Sequence, residues 1–156
     1  LAPRPPRRRN EILGLMGDRF SVAQYSSRTR RTSTTQITLA DTMGDMSLWY
    51  DIADICVVAG SFQSAGGHTP FEPLSHGCGV FHGPQVSNFT KSYDALNAVG
   101  GAKMVHSAVE LSEASLTCRP DVMCDAAAPV LGLAQDQLPF YTALEKSLKK
   151  SQKAAS

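Results

Sequence analysis

Seven consecutive residues carry the densest chemical signal in this chain: Gly66-Gly67-His68-Thr69-Pro70-Phe71-Glu72. A glycine pair permits positive φ and lets a ligand approach the backbone closely. Pro70 falls where proline favours the first turn of a helix. The free N–H groups of such a turn point back at the glycines and suit an anion. His68 adds a side-chain donor beside a phosphate. Glu72, one turn in, is placed to bond a ribose hydroxyl, as acidic residues do in dinucleotide folds. The parts make one coherent nucleotide-binding unit. The same spacing also describes an ordinary strand-to-helix turn, with a carboxylate that favours a helix N-terminus for electrostatic reasons alone.

The loop must be held by the elements around it. Ile55-Cys56-Val57-Val58-Ala59 is a continuous apolar run, which suits a parallel strand buried on both faces. The glycine-rich stretch from Gly60 to Thr69 follows its carboxyl end, where ligands bind in open α/β sheets. Upstream, residues 7–17 read as a short helix with Ile12, Leu13 and Met16 on one face. Strands follow at 20–25 and 36–40, a turn at 41–44, and a helix at 45–53. Downstream, the pattern predicts a helix to about His76, a strand over 79–82, and a helix to about Val99 capped by Ser87 or Asn88. A strand over 102–106 and a helix over 108–116 capped by Ser107 come next. From about Pro120 the chain reads as helical in two pieces, interrupted at Pro129 and Pro139. This alternation predicts an α/β fold, a Rossmann-like parallel sheet with helices on both faces. Residues 1–156 read as a single domain, with the segment 120–156 forming its C-terminal helices.

Composition narrows the class. The chain has 156 residues, 42% of them hydrophobic and 19% charged, which excludes a disordered chain. No apolar run approaches the ~18 residues of a membrane span. The four cysteines, Cys56, Cys78, Cys118 and Cys124, lack zinc-site spacing and read as free thiols. No metal or cofactor is expected. The net charge of +1 conceals strong segregation. Residues 1–31 contain eight arginines against Glu11 and Asp18, the middle of the chain is acidic, and the tail carries Lys146, Lys149, Lys150 and Lys153. A basic N-terminal block suits a phosphate or an anionic membrane surface, or is simply a solvated face. Nucleic acid is not expected, because few aromatics interleave these arginines for stacking.

A further set of motifs runs in order along the chain: Asp41-Thr42-Met43-Gly44-Asp45-Met46, Leu48-Trp49-Tyr50, Ala59-Gly60-Ser61, Gly66-Gly67-His68, Glu72-Pro73, Gly83-Pro84 and Asn88-Phe89. Over about residues 3–106 this resembles the 3-deoxy-D-manno-octulosonic acid (Kdo) transferases of bacterial lipopolysaccharide synthesis. Pro3-Arg4-Pro5-Pro6-Arg7-Arg8 is similar to their opening P-R-H-P-E-R. The resemblance implies the C-terminal half of a GT-B glycosyltransferase, the half that binds the donor CMP-Kdo. It implies an N-terminal domain, outside this chain, that handles a lipid A precursor and carries the catalytic carboxylate, so no catalytic residue is expected here. It also implies a place at the cytoplasmic face of the bacterial inner membrane. Carried over by motif, Arg4 contacts the donor nucleotide, Gly66, Gly67 and His68 face the phosphate, Glu72 holds the ribose, and Asn88 lies near the pocket. Ser61, at the strand end, is a further candidate.

The chain departs from the family pattern at Pro5, Arg7, Asp45, Ala59 and Thr69, the last replacing an asparagine amide in the loop. The family's first strand of this domain is expected to precede Pro3. Trp49 and Tyr50 read as core, Asp41 as a residue that fixes its turn, and His82 as a candidate to line the cleft. Other readings are a GT-B transferase using a different nucleotide sugar, a non-catalytic nucleotide-binding module, or a structural domain whose arginines face anionic lipid.

Overall fold

The computed structural model describes residues 1–3, 6–27 and 31–134. The chain forms two compact units, Leu1–Ile52 and the part from Ala53 onward. In the first, a 3-10 turn at Pro6–Arg8 leads into helix α1, Arg9–Met16. Strands β1, Val22–Gln24, and β2, Ile37–Leu39, pair in parallel with Val22 opposite Ile37. Their connection spans residues 25–36, about the dozen that a parallel crossover needs. Helix α2, Met46–Asp51, follows. Leu1 lies along β2. Its amino group donates to the Thr38 carbonyl at 2.8 Å, and its carbonyl accepts from Ala40 N–H at 2.7 Å. That bonding is a parallel bridge.

Asp41 organises the loop ends of this unit. It is 4% exposed, and three donors converge on it: Gln24 Nε2 at 2.7 Å, Ser26 Oγ at 2.6 Å and Ser26 N–H at 2.9 Å. Arg9 adds a cation at 3.8 Å. Burial pushes the carboxyl pKa up, but the bonds from Ser26 and Gln24 outweigh it and hold the group below its ordinary value. The residue fixes its turn, as its position in the sequence suggests.

The second unit holds a three-stranded parallel sheet in the order β3-β4-β5. β3 is Ile55–Val58, β4 is Gly79–His82 and β5 is Ala102–Met104. All four residues of β4 are buried, as a central parallel strand requires. Side chains alternate across the sheet. Val58 and Val80 pack on one face with Leu74, Tyr93, Leu96 and Ala127. Phe81 packs on the other with Val105, Ala114, Ile55 and Leu111. The first face is covered by α3, Phe71–Ser75, by α4, Thr90–Val99, and by a helix over residues 120–134, here α6. The second face is covered by α5, Ala108–Leu116. Helices therefore flank both faces of this sheet, and among the described residues every strand pair is parallel.

Several boundaries follow the expected physics. Ser107 caps α5 by accepting from Glu110 N–H at 3.1 Å, and Glu110 returns a bond to His106 N–H at 2.8 Å. This is a variant of the capping box, in which the glutamate accepts from the residue before the cap rather than from the cap itself. Other boundaries differ. Neither Ser87 nor Asn88 caps α4: its N-cap is Phe89, without a side-chain bond, because the Asn88 amide is engaged elsewhere. Pro129 does not interrupt α6, which is continuous over the described residues 120–134. Ala127, Val130 and Leu131 pack onto the core on either side of it, and that burial offsets the one backbone bond the proline cannot make. Pro139 and the lysine-rich tail lie outside the described residues. All four cysteines are free thiols, and burial pushes Cys56 up to about 11, which makes it a poor nucleophile.

Asp41→Asn should destabilise the first unit by about 1–3 kcal/mol at neutral pH, the range for disrupting a buried hydrogen-bonded group. The folded carboxyl titrates below its ordinary value near 3.8, so its contribution is present above that pH and lost as pH falls through and below it. Chemical unfolding monitored at pH 7 and pH 3 should show the gap between wild type and variant narrowing at the lower pH.

Candidate functional site

The β3–β4 register builds the site. Pairing Val58 with His82 brings the carboxyl ends of both strands together, so the segment after β3 meets Gly83-Pro84. The chain leaves β3 in a 3-10 turn, Ala59–Phe62. There Ser61 is fully buried. Its hydroxyl donates to the Val58 carbonyl at 2.5 Å and accepts from Gly83 N–H at 2.6 Å. Its carbonyl accepts from Gln85 N–H at 2.8 Å. A Cβ at Gly83 would stand 2.5 Å from that carbonyl and 2.8 Å from the Phe62 ring, so the strand ends approach this closely only because residue 83 has none. Both bonds of the Ser61 hydroxyl are made inside the fold, where they position the loop.

Gly66 and Gly67 both have φ of +77°, a conformation that disfavours any residue with a Cβ. Asn88 lies against them. Its side chain donates to the Ala65 carbonyl at 3.1 Å, and its backbone N–H donates to the Gly66 carbonyl at 3.1 Å. A Cβ on Gly66 would come within 2.6 Å of the Asn88 amide. The sequence nominated Asn88 as pocket lining, and the structure uses it to hold the loop. His68 is exposed, with its ring edge beside Gly60. Thr69 Oγ1 accepts from Phe71 N–H at 3.4 Å, so the residue that replaces the family asparagine serves the start of α3. Glu72 is exposed in the first turn of that helix. α3 has five residues, so its dipole is weak, and backbone amides and side chains of the loop carry the chemistry instead. Gly66, Gly67, His68, Glu72, Asn88 and Ser61 are thus drawn to one end of the sheet. Arg4 lies outside the described residues.

Two further residues hold the site, Tyr93, which the sequence did not single out, and His82. Tyr93 is fully buried, and its hydroxyl donates to the His68 carbonyl at 2.8 Å. His82 does not line a cleft: it is fully buried with its ring centroid 4.2 Å from that of Tyr93. Its Nδ1 meets the Gly83 carbonyl at 2.7 Å and its Nε2 meets the Asn97 side chain at 3.1 Å. Both partners of the ring are oxygens, the Gly83 carbonyl and Asn97 Oδ1. The alternation of β4 sends His82 to the face covered by α4, a signal available in the strand pattern.

A cavity of about 740 Å³ lies in the first unit, lined by residues that include Tyr25, Arg31, Leu48, Trp49 and Ile52. Tyr25 and Trp49 meet edge to face with centroids 5.0 Å apart. Its polar lining is largely committed to the fold, since Gln24 and Ser26 bond Asp41 and Thr42 bonds Asp45. Among the described residues no helix is long and apolar enough to cross a membrane, and no cluster of three metal-ligating side chains occurs.

No family model matches the chain. It is 35% identical over 114 residues to a 3-deoxy-D-manno-octulosonic acid transferase of Haemophilus influenzae, covering 72% of this chain and 27% of that protein. It is 32% identical over 104 residues to the enzyme of that name from Bordetella pertussis, covering 65% and 24%. A probable mitochondrial 3-deoxy-D-manno-octulosonic acid transferase of Arabidopsis thaliana matches at 31% over 130 residues, covering 79% and 29%. The chain thus spans about a quarter of the length of these relatives. Its fold is similar to the crystal structure of the C-terminal CMP-Kdo binding domain of WaaA from Acinetobacter baumannii. The TM-score is 0.78 at 26% identity, covering 83% of this chain and 70% of that one.

Ser61→Ala should leave the Gly83 N–H buried without its acceptor. The expected loss is about 1–3 kcal/mol of stability, read by thermal or urea unfolding, with faster amide exchange at Gly83. An unchanged Gly83 amide would remove Ser61 from this role.

Proposed function

We infer, for a chain that belongs with the 3-deoxy-D-manno-octulosonic acid transferases as a counterpart of their C-terminal domain, that it is the donor-binding half of a glycosyltransferase and that its ligand is CMP-Kdo. The observation that supports this most directly is the loop itself. Two adjacent glycines at positive φ, an exposed histidine and an exposed carboxylate stand together at the carboxyl end of a buried parallel strand. In this reading Gly66 and Gly67 admit the donor phosphate to the backbone. His68 offers a donor to the phosphate oxygens, Glu72 accepts from the ribose hydroxyls, and Ser61 and Asn88 keep the loop in shape. Arg4 supplies a cation to the nucleotide.

The chemistry that follows is transfer of Kdo from CMP to a hydroxyl of a lipid A precursor. Such transfers pass through an oxocarbenium-like transition state. Charge grows on the departing phosphate, and donors already aimed there stabilise it without reorganising. The attacking hydroxyl needs a general base. Glu72 is assigned to the ribose, so in this proposal the base comes from an N-terminal domain outside the 156 residues. That domain also handles the acceptor and completes a GT-B architecture. The chain then binds donor but does not transfer sugar alone. The eight arginines of residues 1–31 suit the cytoplasmic face of an inner membrane rich in anionic lipid.

Calorimetric titration of the chain with CMP, UMP and ADP tests the reading. CMP should bind in preference to the other two. Glu72→Ala should weaken it by about tenfold or more, the value of a charge-assisted hydrogen bond. A folded chain that binds none of the three would overturn the proposal.

A further inference from the structure

Three carbonyls of the glycine loop are turned toward the segment that follows β4. Ala65 O and Gly66 O accept from Asn88, and His68 O accepts from Tyr93. A trans peptide is planar, with its C=O and the following N–H pointing in opposite directions. Holding these three carbonyls therefore turns the N–H groups of Gly66, Gly67 and Thr69 the other way. Among the described residues, none is seen to accept from these three groups.

Tyr93 is the most rigid of the holding groups. Asn88 is exposed, whereas the Tyr93 side chain, on α4, is fully buried, and its ring packs at a 45° tilt against His82. His82 is itself tied to Gly83 and Asn97. A buried phenol needs a hydrogen-bond partner, and this one has the carbonyl of the residue whose side chain faces solvent.

We propose that Tyr93 is a positioning residue for the donor phosphate. By holding the His68 carbonyl, its hydroxyl aims the Thr69 N–H at the phosphate, alongside the N–H groups of Gly66 and Gly67. The proposal rests on the donor-binding reading above. Tyr93 touches no ligand in this scheme and acts through the 68–69 peptide.

The test is Tyr93→Phe, which keeps the ring on His82 and removes only the hydroxyl. Leu96→Ala, a core change in the same helix, serves as the control for general loosening. Amide exchange and CMP titration are measured well below both unfolding midpoints. In Tyr93→Phe the Thr69 amide should exchange faster and CMP affinity should fall about three- to tenfold, the value of one hydrogen bond. Leu96→Ala should lower the thermal midpoint and leave CMP affinity within about twofold, because a cavity in the core reduces stability without touching the loop. Equal CMP binding by wild type and Tyr93→Phe would overturn the positioning role and leave the donor reading intact. Equal affinity losses in both variants would assign Tyr93 to stability alone and overturn the role as well. Wild type that binds no CMP would overturn both.

Discussion

The pairing of β3 with β4 is the constraint on which the second unit depends. Its register sets Val58 beside His82, so the chain leaving one strand must pass within contact of the chain leaving the other. Ser61 and Gly83 make that passage possible. One contributes a hydroxyl that bridges both strand ends, and the other lacks the Cβ that would collide with the Ser61 carbonyl and the Phe62 ring. A parallel sheet cannot close its strand ends with a tight hairpin, because each strand is followed by a crossover. Side-chain and loop bonds must supply what a turn would otherwise supply. Here they also place the glycine loop, since the Asn88 and Tyr93 that hold it are carried by the chain after the same β4 end.

This arrangement divides labour between groups that touch solvent and groups that do not. His68 and Glu72 are exposed and contribute little packing. Ser61, His82 and Tyr93 are fully buried, and their polar atoms meet partners within the unit. A half-satisfied buried network destabilises a fold, whereas a satisfied one specifies a unique arrangement. His68 is tied to that network through its carbonyl. This matters more than the dipole of α3, because a helix of five residues has little macrodipole to offer. In the donor-binding proposal, fixed amides and a carbonyl latch are the better account of how so short an element presents an anion site.

Much of this was legible in the residues and some of it was not, for physical reasons. β4 spans the four residues its apolar run suggested, and α5 begins where Ser107 and Glu110 form their box. Those signals are local: a strand pattern or a cap is written in adjacent residues. Asn88 was misread because an asparagine before a helix is a good cap by local rules, while its amide found the Ala65 carbonyl, 23 residues away. At His82 the structural reading prevails over the cleft-lining one. A histidine at a strand end looks like cleft lining until α4 covers that face. Pro129 breaks a helix by propensity, yet flanking residues that pack on the core carry α6 through it. In each case a tertiary contact decided between local options that the sequence left nearly balanced.

Thr69 marks a departure of the loop from the pattern the sequence resembles. The family pattern has an asparagine there, whose amide could donate to a ligand. Threonine cannot replace that donor geometry, and its hydroxyl accepts from Phe71 N–H instead. What remains at the position for a ligand is the backbone N–H. Its aim does not depend on the residue 69 side chain, because the Tyr93 hydroxyl fixes the 68–69 peptide from the carbonyl side. A site built on main-chain donors can lose a side-chain donor and keep its geometry, provided the buried latch is intact. In the donor-binding proposal, the fully buried network behind the loop, rather than the exposed motif in front of it, is what preserves the anion site when the motif drifts.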